Sequence, residues 1–88
     1  MEVKFTPTAE KDRDFWKKSG QTIVMKRIER LLKDIAAHPE TGIGKPEQLK
    51  HELSGLWSRE INLKNRIIYE ITPDHVNILS MVGHYSDN

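Results

Sequence analysis

The hydrophobic period of this 88-residue chain changes once, near Leu56, and that change restricts the folds open to it. Before it, Val24, Ile28, Leu31 and Ile35 stand four, three and four residues apart, which is one stripe of a helix. After it, apolar and polar residues alternate with the period of two that marks half-buried strands. The pattern from Glu2 onward reads β-α-α-β-β-β. This predicts an α+β domain in which two N-terminal helices pack on a mostly antiparallel four-stranded sheet. The length allows one domain, residues 1–88, because a second core needs roughly another hundred residues. So short a chain buries about 60–65% of the surface its unfolded form exposes. The large apolar residues are therefore expected in the core.

Element boundaries follow from local chemistry. Glu2 to Thr6 alternates, with Val3 and Phe5 on one face, and Pro7 and Thr8 end that strand. Thr8 is the expected cap of a helix running through Ser19, with Phe15 and Trp16 as its apolar face and Gly20 as its stop. The second helix runs from about Gln21 to Ala37, its stripe widened by Ile23 and Leu32, and Pro39 closes it. Residues 40–55 read as a long loop punctuated by Gly42, Gly44, Pro46 and Gly55, with room for a helical turn at Glu47 to Leu53. Trp57, Arg59, Ile61 and Leu63 then share one face of a strand, opposite Ser58, Glu60 and Asn62. A tight turn at Lys64-Asn65 leads to a strand from Arg66 to Thr72, and a turn at Pro73-Asp74 leads to one from Val76 to Tyr85.

Several function classes fall away. There is no Cys, so disulfide and thiol chemistry are excluded. No apolar run approaches the ~20 residues of a membrane span, and Met1 to Thr8 lacks the apolar region of a signal peptide. A soluble cytoplasmic protein is the expectation. The four His show neither HxxxH nor HxH spacing, so no metal site is expected, and no cofactor is implied. No Gly-rich loop ends in Lys-Ser or Lys-Thr, which leaves a nucleoside triphosphatase unsupported.

Net charge is +1, but its distribution is uneven. Residues 11–33 hold eight bases against three acids, whereas residues 67–88 contain no Lys or Arg and three acids. The basic segment is either the footprint of a polyanionic partner or a solvated helix surface. Ionisable side chains also stand where strands should be apolar. Antiparallel neighbours are expected to bring Arg59, Arg66 and His84 toward a common sheet surface, with Glu47, Lys50 and His51 in the loop that covers it. Such a set suits attack on a phosphodiester. Glu or His moves a proton, and Arg holds non-bridging oxygens with its planar fork. Each residue also has a structural use. Glu47 suits a helix start, Arg66 a cross-strand pair with Glu60 or Glu70, Trp57 and Tyr85 packing, and His84 a fraying end. Spacing alone stops at a small α+β domain able to take RNA or phosphate.

The run from Gly42 to Arg59, GIGKPEQLKHELSGLWSR, resembles the signature G-x-G-K-P-E-x-L-K-x-x-L-x-G-x-W-S-R of the YoeB/Txe toxins in the RelE/ParE superfamily. Arg66 opening a strand and His84-Tyr85 near the C-terminus extend the resemblance over essentially the whole chain. It implies a microbial ribonuclease-like fold and a toxin that cleaves mRNA in the ribosomal A site without a metal. By position, Glu47 is implied as general base, His84 as general acid, Arg66 as the stabiliser of phosphate charge and Tyr85 as a positioning group. Lys50 and Arg59 match basic positions that hold phosphates, with His51 in support. Some family members carry a second Arg where this chain has Glu60, which leaves Glu60 to pair with Arg66 or Lys64.

The resemblance also implies partners. They are a YefM/Phd-type antitoxin with an acidic C-terminal segment, the ribosome and mRNA, and operator DNA through the antitoxin complex. A homodimer is expected too. Two other readings stay open on the same fold. One is a ParE-like inhibitor of gyrase, against which the joint presence of Glu47, Arg66 and His84 counts. The other is a degenerate toxin that acts only as an antitoxin-bound corepressor.

Overall fold

The computed structural model describes residues 1–83. Its elements in chain order are β1 (Glu2–Phe5), α1 (Pro7–Lys18), α2 (Thr22–Ala37), β2 (Glu47–Gln48), a 3₁₀ turn (His51–Leu53), β3 (Leu56–Glu60), β4 (Arg66–Ile71) and β5 (His75–Ser80). The sheet has five strands in the order β1-β5-β4-β3-β2. β1 runs parallel to β5, and the other three pairings are antiparallel. The expected four strands become five because Glu47 and Gln48, inside the predicted loop, pair with Ser58 and Trp57. Two residues are too few to display a period, so no alternation marks them.

α1 begins earlier than expected. Thr6, not Thr8, is the cap: its Oγ1 accepts the N–H of Ala9 (3.2 Å), and Pro7 follows in the first turn, where its missing N–H costs nothing. The same hydroxyl donates to the carbonyls of Ile78 (3.0 Å) and Leu79 (3.1 Å), so the end of β1 and the start of α1 are tied to β5 together.

The core lies between the helices and one sheet face. Ile28, Leu31 and Ile35 of α2 and Ala9 and Trp16 of α1 close over Ile67, Tyr69, Val76 and Ile78. Three expected core residues are outside it: Phe15 is 53% exposed, Ile23 84% and Leu63 89%. β3 ends at Glu60 instead of reaching Leu63. The Asn62 side chain takes over, accepting the N–H groups of Lys64 (3.0 Å) and Asn65 (2.9 Å) in a wider turn than the predicted two-residue one.

The last strand departs from simple alternation. Tyr69 pairs with Ile78 but Ile68 pairs with Ser80, so Leu79 is an extra residue in β5. Val76 and Ile78 face the helices, and the bulge turns Ser80 to the other face, where strict alternation would keep all three together. The predicted strand ran to Tyr85. β5 ends at Ser80, and His84 and Tyr85 lie outside the described residues.

The most polar part of the interior is Arg59, whose side chain is fully buried. A guanidinium carries five N–H donors, and all five are used. Nε donates to the Tyr69 hydroxyl (3.0 Å). Nη1 donates to Asp34 Oδ2 and to the Ile43 carbonyl (3.0 Å). Nη2 donates to the carbonyls of His38 and Thr41 (3.0 Å for the latter). Tyr69 passes its own hydrogen to the Pro39 carbonyl (2.7 Å), and Asp34 also accepts the Ile43 N–H (3.0 Å). One cation thus fixes the course of the chain between α2 and β2. The path needs Gly44, whose φ is +79° and whose added Cβ would lie 2.6 Å from Leu31 Cδ2.

The Arg59 hydrogen bond holds the Asp34 carboxyl below its ordinary value, while burial pushes the Tyr69 phenol up. A depressed carboxylate stabilises the fold fully above the unfolded aspartate value of about 3.9, and that contribution is lost as pH falls through the folded value. Asp34→Ala strands the buried guanidinium and is expected to cost roughly 3–5 kcal/mol. Thermal unfolding at neutral pH checks the size. A pH series of Asp34→Asn checks the sign, since that variant should lose less stability on acidification than the parent chain.

Candidate active site

Register decides which side chains meet. Glu47 on β2 stands opposite Ser58 on β3, Ser58 opposite Ile68 on β4, and Glu60 opposite Arg66. Paired residues point to the same side of a sheet, so Glu47, Ser58, Glu60 and Arg66 share the face turned away from the helices. Arg59 pairs with Ile67 and points the other way, toward α2. The expectation that Arg59 and Arg66 share a surface is therefore corrected, as is the phosphate-binding role of Arg59. All five of its donors are spent on protein oxygens, and water does not reach it.

Arg66 occupies the complementary position. Its Nη1 donates to Ser58 Oγ (3.2 Å) and lies 3.9 Å from Glu47 Oε2. Its side chain is 18% exposed, whereas that of Glu47 is 56% exposed. Ser58 itself is fully buried. The arrangement is a sheltered cation, aimed by a buried hydroxyl, beside an accessible carboxylate on the face turned away from the helices. The guanidinium can hold an anion bidentately, and the carboxylate can accept a proton from a group brought next to it. Glu60 stands opposite Arg66 across the sheet, as expected, but the carboxylate within ion-pair distance of the guanidinium is that of Glu47. Glu70 accepts a hydrogen bond from Asn77 (3.2 Å), and the Glu60 backbone bonds to Gly44 and Arg27.

The segment carrying Glu47 is backbone-strained. Lys45 (φ +54°) and His51 (φ +56°) both adopt the left-handed conformation that side chains disfavour. Leu49 anchors the stretch between them: its side chain is buried and its N–H donates to the Leu56 carbonyl (2.9 Å). Lys50 and His51 follow on the exposed rim. The Lys50 carbonyl accepts the N–H of Leu53 (3.1 Å), and that of His51 accepts the N–H of Ser54 (3.1 Å). His84 and Tyr85 are outside the described residues. The chain approaches them beside the site, since the Arg66 N–H donates to the carbonyl of Gly83 (2.9 Å). Ser58, which aims Arg66, was absent from the sequence-derived set. Its one signal was alternation with Glu60 inside the W-S-R run.

The sequence model described as YoeB-like toxin of bacterial type II toxin-antitoxin system matches residues 5–85. The chain belongs to the YoeB toxin family. It is 42% identical to Toxin YoeB of Streptomyces coelicolor over 85 residues, 97% of this chain and 100% of that one. Among solved structures it is similar to a YoeB/ParE toxin from Agrobacterium tumefaciens (TM-score 0.90, 28% identity, 97% of this chain and 100% of the other). It is also similar to YoeB of Staphylococcus aureus at 36% identity, covering 97% of this chain and 98% of that one. That protein is solved as a heterotetrameric YoeB-YefM toxin-antitoxin complex (TM-score 0.84) and as a YoeB dimer (TM-score 0.85). The two-helix, five-stranded architecture is that of this toxin family. Among the described residues no helix is long and apolar enough to cross a membrane.

The strain at Lys45 gives a test of how the YoeB-family loop is held. Lys45→Gly removes a left-handed cost of roughly 1–2 kcal/mol and adds a glycine entropy cost of about 0.5–1 kcal/mol. A net gain in stability of about 0.5–1 kcal/mol is expected, read as a higher melting temperature.

Proposed function

We propose that this toxin is a ribosome-dependent endoribonuclease that cuts translated mRNA by general acid-base catalysis. The observation that carries this reading is the Arg66 guanidinium, oriented by Ser58 and 3.9 Å from an exposed Glu47, on the sheet face turned away from the helices. Glu47 is the exposed member of the pair, and a ribosome that presents the mRNA in its A site supplies the alignment that a deep cleft would otherwise provide.

In this mechanism Glu47 takes the proton of a ribose 2′-hydroxyl. The 2′-oxygen bonds to the adjacent phosphorus, and the bond from phosphorus to the 5′-oxygen breaks. His84 gives a proton to the departing 5′-oxygen. The products are a 2′,3′-cyclic phosphate and a free 5′-hydroxyl. Arg66 stabilises the charge that builds on the non-bridging oxygens, where fixed donors act most strongly. Tyr85 positions the substrate, and Lys50 and His51 on the rim take neighbouring phosphates. The nucleophile is the substrate's own hydroxyl, so the chemistry calls on no metal or other cofactor.

The partners follow the same reading. A YefM-type antitoxin with an acidic C-terminal segment covers the site, operator DNA is bound through that complex, and the free toxin forms a homodimer in the cytoplasm. The S. aureus YoeB-YefM complex and YoeB dimer, at 36% identity, support the antitoxin partner and the homodimer.

Primer extension on an mRNA in a purified translation reaction tests the reaction. Glu47→Ala and His84→Gln are each expected to lower cleavage at least about 100-fold, the usual size of a lost acid or base. Binding of the antitoxin and the melting temperature should stay close to those of the parent chain. Cleavage by His84→Gln at the parent rate overturns its assignment as the acid. Equal cleavage of free mRNA overturns the dependence on the ribosome.

A further inference from the structure

The chain beyond β5 is held by groups that the catalytic reading leaves unused. The Met81 N–H donates to Asp12 Oδ2 (2.8 Å), and its carbonyl accepts the indole N–H of Trp16 (2.8 Å). Asp12 and Trp16 are four residues apart on α1, so they face the same way and grip both backbone groups of one residue. Two residues on, the Gly83 N–H donates to the side-chain oxygen of Asn65 (2.9 Å) and its carbonyl accepts the Arg66 N–H (2.9 Å). Trp16 is 3% exposed and Met81 fully buried. A strand end with no further ladder partner ordinarily frays. Here both backbone groups of residue 81, and both of residue 83, have fixed partners from opposite sides. The residue that follows is His84.

We propose that Asp12, Trp16 and Asn65 are positioning residues for RNA cleavage, which set where the chain enters the His84-Tyr85 pair relative to Arg66. The inference rests on the reading of His84 as the general acid. Arg66 links the two halves of the device, because its side chain faces Glu47 and its backbone N–H anchors Gly83. A shift of the 81–83 segment moves the backbone that leads to His84, whereas the Arg66 side-chain contacts are made to Ser58 and Glu47 on other strands. α1 and the turn between β3 and β4 thus become part of the geometry of catalysis.

The experiment measures kcat and KM for cleavage on programmed ribosomes with Asp12→Ala, Trp16→Phe and Asn65→Ala. Trp16→Phe keeps an aromatic ring in the core and removes the N–H. A misplacement of about 1 Å costs up to about 100-fold in rate, so kcat is expected to fall by about 10–100-fold with KM nearly unchanged. Asp12→Asn, which keeps an oxygen acceptor, is expected to restore most of the rate. In a His84→Gln background the three variants are expected to lower the remaining rate no further, because they act through the group already removed. If Asp12→Ala fails to fold, Trp16→Phe and Asn65→Ala carry the same test. A parent-like kcat in folded Trp16→Phe and Asn65→Ala overturns the positioning role, and so do equal losses in the His84→Gln background. Parent-like cleavage by His84→Gln alone overturns the acid assignment itself, and the positioning role with it. Loss in His84→Gln with full rates in the three variants overturns the positioning role and leaves the acid assignment standing.

Discussion

The fold depends on one buried cation. Arg59 has no exposed surface and must place five N–H groups on oxygens inside the protein. Three of those oxygens are carbonyls of His38, Thr41 and Ile43, so the segment leaving α2 is drawn around the guanidinium. Asp34 supplies the balancing charge from α2 and Tyr69 a hydroxyl from β4. A buried charge left without partners costs several kcal/mol, so the loop has little freedom to take another path. Its next residues arrive at the outer edge of β3 as β2, and Glu47 is one of them. The place of the candidate base is thus set by a residue that never meets substrate.

The two faces of the sheet divide the work. The helix-covered face holds the apolar core and Arg59. The other face holds Glu47, Ser58 and Arg66 over a base of Ile68 and Ser80. Arg59 and Arg66 have the same side chain and lie on paired strands, yet one organises the interior and the other stands beside an exposed carboxylate on the opposite face. Donor use separates the roles: a guanidinium with every donor satisfied internally has nothing to offer a phosphate, and one that among the described residues donates through one nitrogen, to Ser58, does. The bulge at Leu79 extends this division to the end of the sheet. It returns Met81 to the helix side, where Asp12 and Trp16 take hold of it, and the chain then passes Arg66 at Gly83.

Much of this was legible along the chain. The four-three-four spacing in α2 and the alternation after Leu56 mark elements whose side chains share one environment over many residues, so their periods are visible. β2 was not legible because two residues carry no period. The cap at Thr6 was hidden because Thr8 offers the same hydroxyl two residues later, and contact with β5 favours Thr6. Ser58 left a weak signal, since a small buried polar residue in a strand looks the same whether it aims a neighbour or merely fits. The site residues themselves were named by resemblance to a long motif, and the geometry groups Glu47 with Arg66 while separating Arg59 from both.

The amino-acid sequence by itself determined the order of elements, the switch from helical to strand periodicity and the family motif, because each is a property of neighbours along the chain. Tertiary structure alone decided which arginine is interior and which is offered to a ligand. Alternation states that Ser58 and Arg59 point to opposite sides, but it does not say which side is covered. Register between strands and the packing of α2 on one face settle that, and both arise from contacts between residues far apart in sequence.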